Sequence, residues 1–277
     1  MLKKDYEKYP NFDYIEFYFW FFRCKYKNHY LKKSTIESIV DPIDFFKKPK
    51  WTKVNAYSKP NLKLGLILSD IRSHISDAGY YDDPDLITSA HETTHGINSN
   101  VRNNLYNGKP INALYCLDGN AVVLNEPNTR IEIIAKHVPY SLRGSVYKLY
   151  LVDQAVSGWG DRPLYILDEW ICYTNGSATR KDLGIVGRAE TVKYMMEFNI
   201  YSLTLLMTVE LEERGYDSEE LTNFIRWNIE RSMSIYNNEI EASSYLSTFR
   251  TASDVETLRV FTINKFGKQW CKKNLDI

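Results

Sequence analysis

The chain is short of several residue types, and each shortage excludes something. Its 277 residues hold 4 cysteines, 13 glycines and 9 prolines, and 35 basic residues are balanced by 35 acidic ones. Zero net charge excludes the sequence-independent phosphate attraction of a strongly basic nucleic-acid binder, and equally an acidic disordered tail. The cysteines, at 24, 116, 172 and 271, form no CxxC knuckle and are too sparse for a disulfide framework, so buried or isolated thiols are expected. Long apolar runs are also missing. The most hydrophobic stretch, Tyr14 to Phe22, contains Glu16 and is too short to span a bilayer. Its aromatic character, with no small-residue cleavage site after it, does not read as a signal peptide. The expectations are a core role for that stretch, a cytoplasmic location by default, and neither membrane nor nucleic acid as partner.

What is abundant is bulk. Apolar residues make up 44% of the chain and aromatics 14%, including 21 tyrosines, which is enough to build a large core. No repeat or low-complexity run divides it. Leu62 to Ile75 reads as a short strand running into a helix. Ala113 to Asn125 has two apolar runs around Asp118-Gly119, the signal for a hairpin with a type I′ turn. From about Tyr140 the pattern turns helical. Residues 188 to 214 carry apolar side chains at helical spacing with Gly215 to close them, and Asp217–Glu220 and Ser253–Glu256 resemble capping boxes. The order predicts an α+β chain with a mixed N-terminal lobe holding a small sheet and a mainly helical C-terminal lobe. It is expected to be one two-lobed unit over 1–277, divided at about 1–110, 111–185 and 186–277.

One segment carries chemistry: Asp82-Asp-Pro-Asp-Leu-Ile-Thr-Ser-Ala-His91-Glu92-Thr93-Thr94-His95-Gly96. Pro84 suits a first helical position and Asp83 a cap, while Ile87, Ala90, Thr94, Ile97 and Val101 recur on one inward face. His91 and His95, one turn apart, can converge on a single Zn²⁺, and Glu92, offset around the helix, can reach a water on that metal.

A catalytic zinc needs a third protein ligand. Leu164 to Thr179 (LYILDEWICYTNGSAT) contains only two charges, Asp168 and Glu169, in an otherwise apolar setting where unpaired acids cost several kcal/mol. Glu169 is expected as the ligand and Asp168 as the acceptor that orients a ligating histidine, with the reverse assignment open. Tyr173, one turn beyond Glu169, is a candidate hydrogen-bond donor to the oxyanion, as is His137. Glu126 and Glu132 are lesser ligand candidates. Trp159 and Trp170 could line a cleft. Asn175-Gly-Ser177 is expected to be a helix-ending turn.

His91-Glu92-Thr93-Thr94-His95 resembles the zinc signature of the zincin metallopeptidases. The metzincin branch would need a third histidine and a glycine at positions held here by Val101 and Asn98, so the resemblance points to the gluzincin-like branch, whose third ligand is a later glutamate. It departs from the thermolysin-like pattern at Tyr173, where an aspartate is expected. The resemblance implies a zincin-like fold, one Zn²⁺ per chain held by His91, His95 and Glu169, a protein or peptide substrate, and amide hydrolysis by a metal-activated water with Glu92 as general base. The competing expectations are a non-catalytic binding or interaction protein on such a scaffold, or a zinc hydrolase of a non-protein amide.

Overall fold

A computed structural model describes residues 47–76 and 79–277. The reading of Tyr14 to Phe22 as core falls outside them. The described chain is α+β and mostly helical, with one three-stranded antiparallel sheet. Its order is β1 (Trp51–Lys53), α1 (Gly65–Ser73), α2 (Leu86–Leu105), β2 (Ile111–Tyr115), β3 (Asn120–Asn125), α3 (Ile131–His137), and two π-helical turns (Lys148–Asp153 and Ala155–Trp159). The helices α4 (Tyr165–Asp182), α5 (Ala189–Glu212), α6 (Glu219–Ile235), α7 (Ile240–Thr251), α8 (Glu256–Phe266) and α9 (Lys268–Asn274) complete it. No described helix is long and apolar enough to cross a membrane.

β3 is the central strand, with Trp51 opposite Val122 on one side and Tyr115 opposite Ala121 on the other. Side chains alternate across a strand, so the sheet divides two cores. Ala113, Tyr115 and Ala121 join Leu68, Ile71, Ala90 and Ile97 of α1 and α2, while Leu114, Val122 and Leu124 join the large core built around α4 and α5. The hairpin turns as its Asp-Gly pair predicts. Asp118 and Gly119 have φ of 52° and 61°, and Asn120 N–H donates to the Leu117 carbonyl. Leu117, also at positive φ, is one extra residue on the β2 side of the turn.

Three local expectations are corrected. Residues 62–64 form a 3₁₀ turn ahead of α1 instead of a strand, because Leu64, Leu68, Ile71 and Ile75 share a helical face while Leu62 and Leu66 stay exposed. α2 begins at Leu86, two residues later than Pro84 suggests. Asp85 is its cap, accepting from Ile87 N–H at 3.1 Å and Thr88 Oγ1 at 2.9 Å, and Asp83 instead accepts from the Asp85 amide. Asn175-Gly176-Ser177 does not end a helix but lies buried inside α4. A Cβ on Gly176 would stand 3.4 Å from the Ile87 carbonyl oxygen, an ordinary contact across the face where α4 packs on α2.

The two capping boxes are incomplete. Asp217 accepts from Glu219 N–H, but Glu220 accepts from the Lys50 backbone, and Asp254 binds Ser141. Among the described residues Cys116, Cys172 and Cys271 are buried.

Candidate metal centre

α2 and α4 face each other, and the site is made at their contact. Gly96 fits α2 against its neighbours, because a Cβ there would fall 2.4 Å from the Gly79 carbonyl oxygen. With the inward residues of α2 packed on the small core, His91 and His95 turn toward α4. Their Nε2 atoms stand 3.2 Å apart. Glu169 completes a triangle, with Oε2 3.5 Å from His91 Nε2 and Oε1 3.5 Å from His95 Nε2. Ligand atoms on a tetrahedron of 2.0–2.1 Å radius are separated by roughly 3.3–3.4 Å, so this spacing fits a zinc-sized ion.

The protonation pattern supports the same conclusion. His95 Nδ1–H donates to Asp168 Oδ1 at 2.9 Å, so the neutral ring would carry its lone pair on Nε2, inside the triangle. Asn98 holds Asp168 through the same oxygen at 2.7 Å and takes the Tyr115 amide on its own oxygen. Glu169 is almost fully buried, which alone would raise its pKa, yet the two imidazoles 3.5 Å away outweigh burial and hold the carboxyl well below the usual carboxylate range. Its Oε2 has no hydrogen-bond partner although it is buried. A cation could be held there by the two imidazole nitrogens and the buried, unpartnered carboxylate oxygen together. Asp168, the open alternative, receives His95 and Asn98 on Oδ1, and its Oδ2 pairs with Arg102 at 3.7 Å.

His95, Asp168 and Cys172 form a second, overlapping group that could hold a metal. Complete burial pushes the Cys172 thiol well above its ordinary pKa, so without a metal it stays protonated.

The donor triangle opens into a cavity of about 420 Å³. Glu92 is exposed and lines it beside His91 and His95. Opposite stand Tyr150 and Gln154 from the π-helical turns, with Trp159 stacked on Tyr165 at 4.4 Å. The Tyr165 hydroxyl donates to Glu169 Oε1 and lies 2.6 Å from Gln154 Oε1.

Tyr173 packs edge-on against the His91 ring at 4.4 Å, and its hydroxyl bonds that of Tyr150 at 2.7 Å. Burial pushes both phenols up, so both keep their protons, and one proton of the pair remains for another acceptor. Tyr173 lines a smaller cavity of about 150 Å³ that shares His91, Glu92 and Tyr150 with the main one.

The other candidates lie apart from the triangle. His137 bonds Thr208 Oγ1 at 2.9 Å. Thr208 lies ten residues, about 15 Å, along α5 from Phe198, which packs on Tyr173. Trp170 is core and donates to Asn199. Glu126 accepts from the Leu164 amide, and Glu132 pairs with Arg130.

Sequence reasoning did not find Tyr150, Gln154, Tyr165 or Glu197. Tyr165 had a signal, standing one turn before Glu169 on the same helix. Glu197 had another, as a lone acid in the apolar middle of α5. Fully buried, it accepts from Ser145 and Val146 N–H at 3.1 Å each and from Ser145 Oγ at 2.8 Å, fixing the loop that leads to Tyr150. Gly144 is required there, since a Cβ would lie 2.2 Å from the Glu197 carboxyl. Tyr150 and Gln154 had no local signal. Compared with models of protein families, with curated proteins and with solved structures, the chain matches none.

Proposed function

We propose that the chain is a zinc metallopeptidase of the zincin type, gluzincin-like in its ligand set. The observation that carries this is the triangle of His91 Nε2, His95 Nε2 and the Glu169 carboxylate, with one carboxylate oxygen unpartnered, facing a cavity that also holds Glu92. Two imidazoles and a carboxylate are a zinc donor set, and three protein donors beside a cavity suit a catalytic rather than a closed structural site. A zinc ion there would polarise a substrate carbonyl and bring the pKa of a water toward neutrality.

The chain's own groups have distinct tasks. Asp168 holds His95 in the Nδ1–H tautomer. Glu92, exposed and free to move, takes a proton from the attacking water and passes it to the leaving amine. The phenolic proton of the Tyr150–Tyr173 pair is placed to meet negative charge developing on the carbonyl oxygen, with Tyr150 on the cavity wall. Tyr165 and Trp159, stacked on each other, line the same cavity and restrict water.

Peptides suit the space better than small amides. The cavities run along one side of α2 from Ile87 to Tyr106, which at 1.5 Å per residue is roughly 28 Å, enough for about eight residues of extended chain.

The test is elemental analysis of purified protein together with digestion of a peptide library by wild type and by Glu92→Gln. About one zinc per chain in both proteins is expected, with cleavage falling by about 10²–10⁴-fold in the variant. Equal digestion by the two, or protein without metal after growth in zinc, would overturn the proposal.

A further inference from the structure

Beside the metal centre lies a cavity of about 280 Å³ that the proposed chemistry does not use. Arg102, Tyr106, Ile111, Glu126 and Arg162 line it, and Arg102 also lines the main cavity. Arg102 stands seven residues after His95, two turns along the same side of α2. Its Nη1 donates to Asn112 Oδ1 at 3.2 Å and pairs with the Asp168 carboxylate, whose Oδ2 lies 3.7 Å away. Arg162 makes no side-chain hydrogen bond or ion pair among the described residues, and it sits on the segment between Trp159 and α4.

Among the described residues, Glu126 is the only acid that lines this cavity. Burial pushes Glu126 up to about 7 against the opposing pull of the Leu164 amide and of Arg162 and Arg102, so near neutrality it cancels less than one charge, and with Arg102 offset by Asp168 the surplus is that of Arg162. The cavity is therefore positive, partly enclosed, and open to the groove in which a peptide would lie.

We propose that this cavity is a binding subsite for a substrate carboxylate, gripped by Arg162 and Arg102. Two sources share that chemistry, an acidic side chain and the free carboxyl terminus of a peptide. A planar guanidinium matches a carboxylate with two parallel N–H donors, and the semi-enclosed walls reduce solvent screening. The consequence for substrate choice rests on the peptidase reading, whereas carboxylate binding does not.

The experiment reads the arginine Nε–Hε resonances of zinc-loaded Glu92→Gln protein, assigned with Arg162→Gln. The probes are three short peptides: acetyl-Ala-Glu-amide, acetyl-Ala-Ala with a free carboxylate, and acetyl-Ala-Gln-amide. Saturable shifts of the Arg162 and Arg102 signals with at least one carboxylate peptide and none with the neutral one are expected, and the peptide that works names the source. Arg162→Gln, an exposed change that leaves the fold intact, should weaken that binding about ten-fold. No shift with either carboxylate, or equal shifts with the neutral peptide, overturns the proposal. Wild-type digestion of the library is scored separately. Shifts without cleavage sink the peptidase reading alone, and cleavage without shifts sinks this one alone.

Discussion

Replacing Asp168 tests how the site is organised, because its two oxygens do different work. Oδ1 receives both His95 Nδ1–H, at 2.9 Å, and Asn98 Nδ2–H, at 2.7 Å, whereas Oδ2 has only Arg102 in reach, at 3.7 Å. Asp168→Asn can keep its carbonyl oxygen in the Oδ1 position and turn its amide toward Arg102. The tautomer of His95 is then retained, and what is lost is the negative charge that makes the imidazole a stronger donor. Asp168→Ala removes the acceptor altogether, freeing His95 to place its proton on Nε2, where it blocks coordination. Partners of this kind contribute about 10–100-fold in metal affinity. We expect Asp168→Asn near the ten-fold end and Asp168→Ala near the hundred-fold end, or about 1.4 and 2.7 kcal/mol. Competition with a fluorescent zinc chelator gives the affinities. Because the alanine variant also leaves Asn98 buried without its acceptor, at a cost of about 1–3 kcal/mol in stability, thermal unfolding should accompany the titration. If the alanine variant binds zinc as tightly as wild type while remaining folded, the orienting role of Asp168 is refuted. If it fails to bind at all while Glu169→Ala binds well, the ligand assignment is reversed.

Two further outcomes follow from the packing. Folding raises the pKa of Glu126 from 4.5 to about 7, so the stability it contributes is complete below pH 4.5 and is lost as pH rises through 7. Glu126→Gln should therefore be more stable than wild type at pH 8, by up to about 3 kcal/mol, and equal to it near pH 4.5; parallel curves in denaturant titrations would contradict this. Gly96→Ala adds a Cβ that would lie 2.4 Å from the Gly79 carbonyl oxygen, forcing backbone to move. Its cost, about 1–3 kcal/mol, should exceed the gain in helix propensity of about 1 kcal/mol, giving a lower urea midpoint, and a midpoint at or above wild type would show that the contact is loose.

How legible the molecule is from its sequence depends on whether the determining contacts are local. The approach of His91 to His95 is a property of one helix, so spacing alone places them. Glu169 and Asp168 are readable for a different reason, since two acids in an apolar helix need a cation or donors, although 73 residues separate His95 from Asp168. The Asp118-Gly119 turn is encoded in two residues. By contrast, β1 is three residues long and exists because Trp51 to Lys53 pair with the edge of β3, an interaction with no local pattern. Asn175-Gly176-Ser177 looks like a turn in isolation. It is helical because Asn175 reaches the Tyr115 carbonyl and the Thr94 hydroxyl, both tertiary contacts. The Tyr150–Tyr173 pair is invisible for the same reason: its partners come from different elements, positioned by Glu197.

Chelation connects the site to the stability of the whole fold. Without a cation, two imidazole nitrogens stand 3.2 Å apart and a buried carboxylate oxygen lacks a partner, and an unmet group of that kind costs about 1–3 kcal/mol. An ion that binds only the folded chain adds stability by mass action, about 2.7 kcal/mol when free metal is a hundred times its dissociation constant. For a chain of this size each kcal/mol moves the melting temperature by about 2–4 °C, so stripping the metal should lower it by about 5–10 °C. Scanning calorimetry with and without a chelator measures this. The same comparison on Glu169→Ala should give almost no difference, because a ligand is missing, whereas Glu92→Gln should retain the full shift, because Glu92 is assigned to proton transfer and not to coordination. A chelator effect that persists in Glu169→Ala would place the ion elsewhere in the chain. One that vanishes in Glu92→Gln would make Glu92 a ligand and remove its role as base.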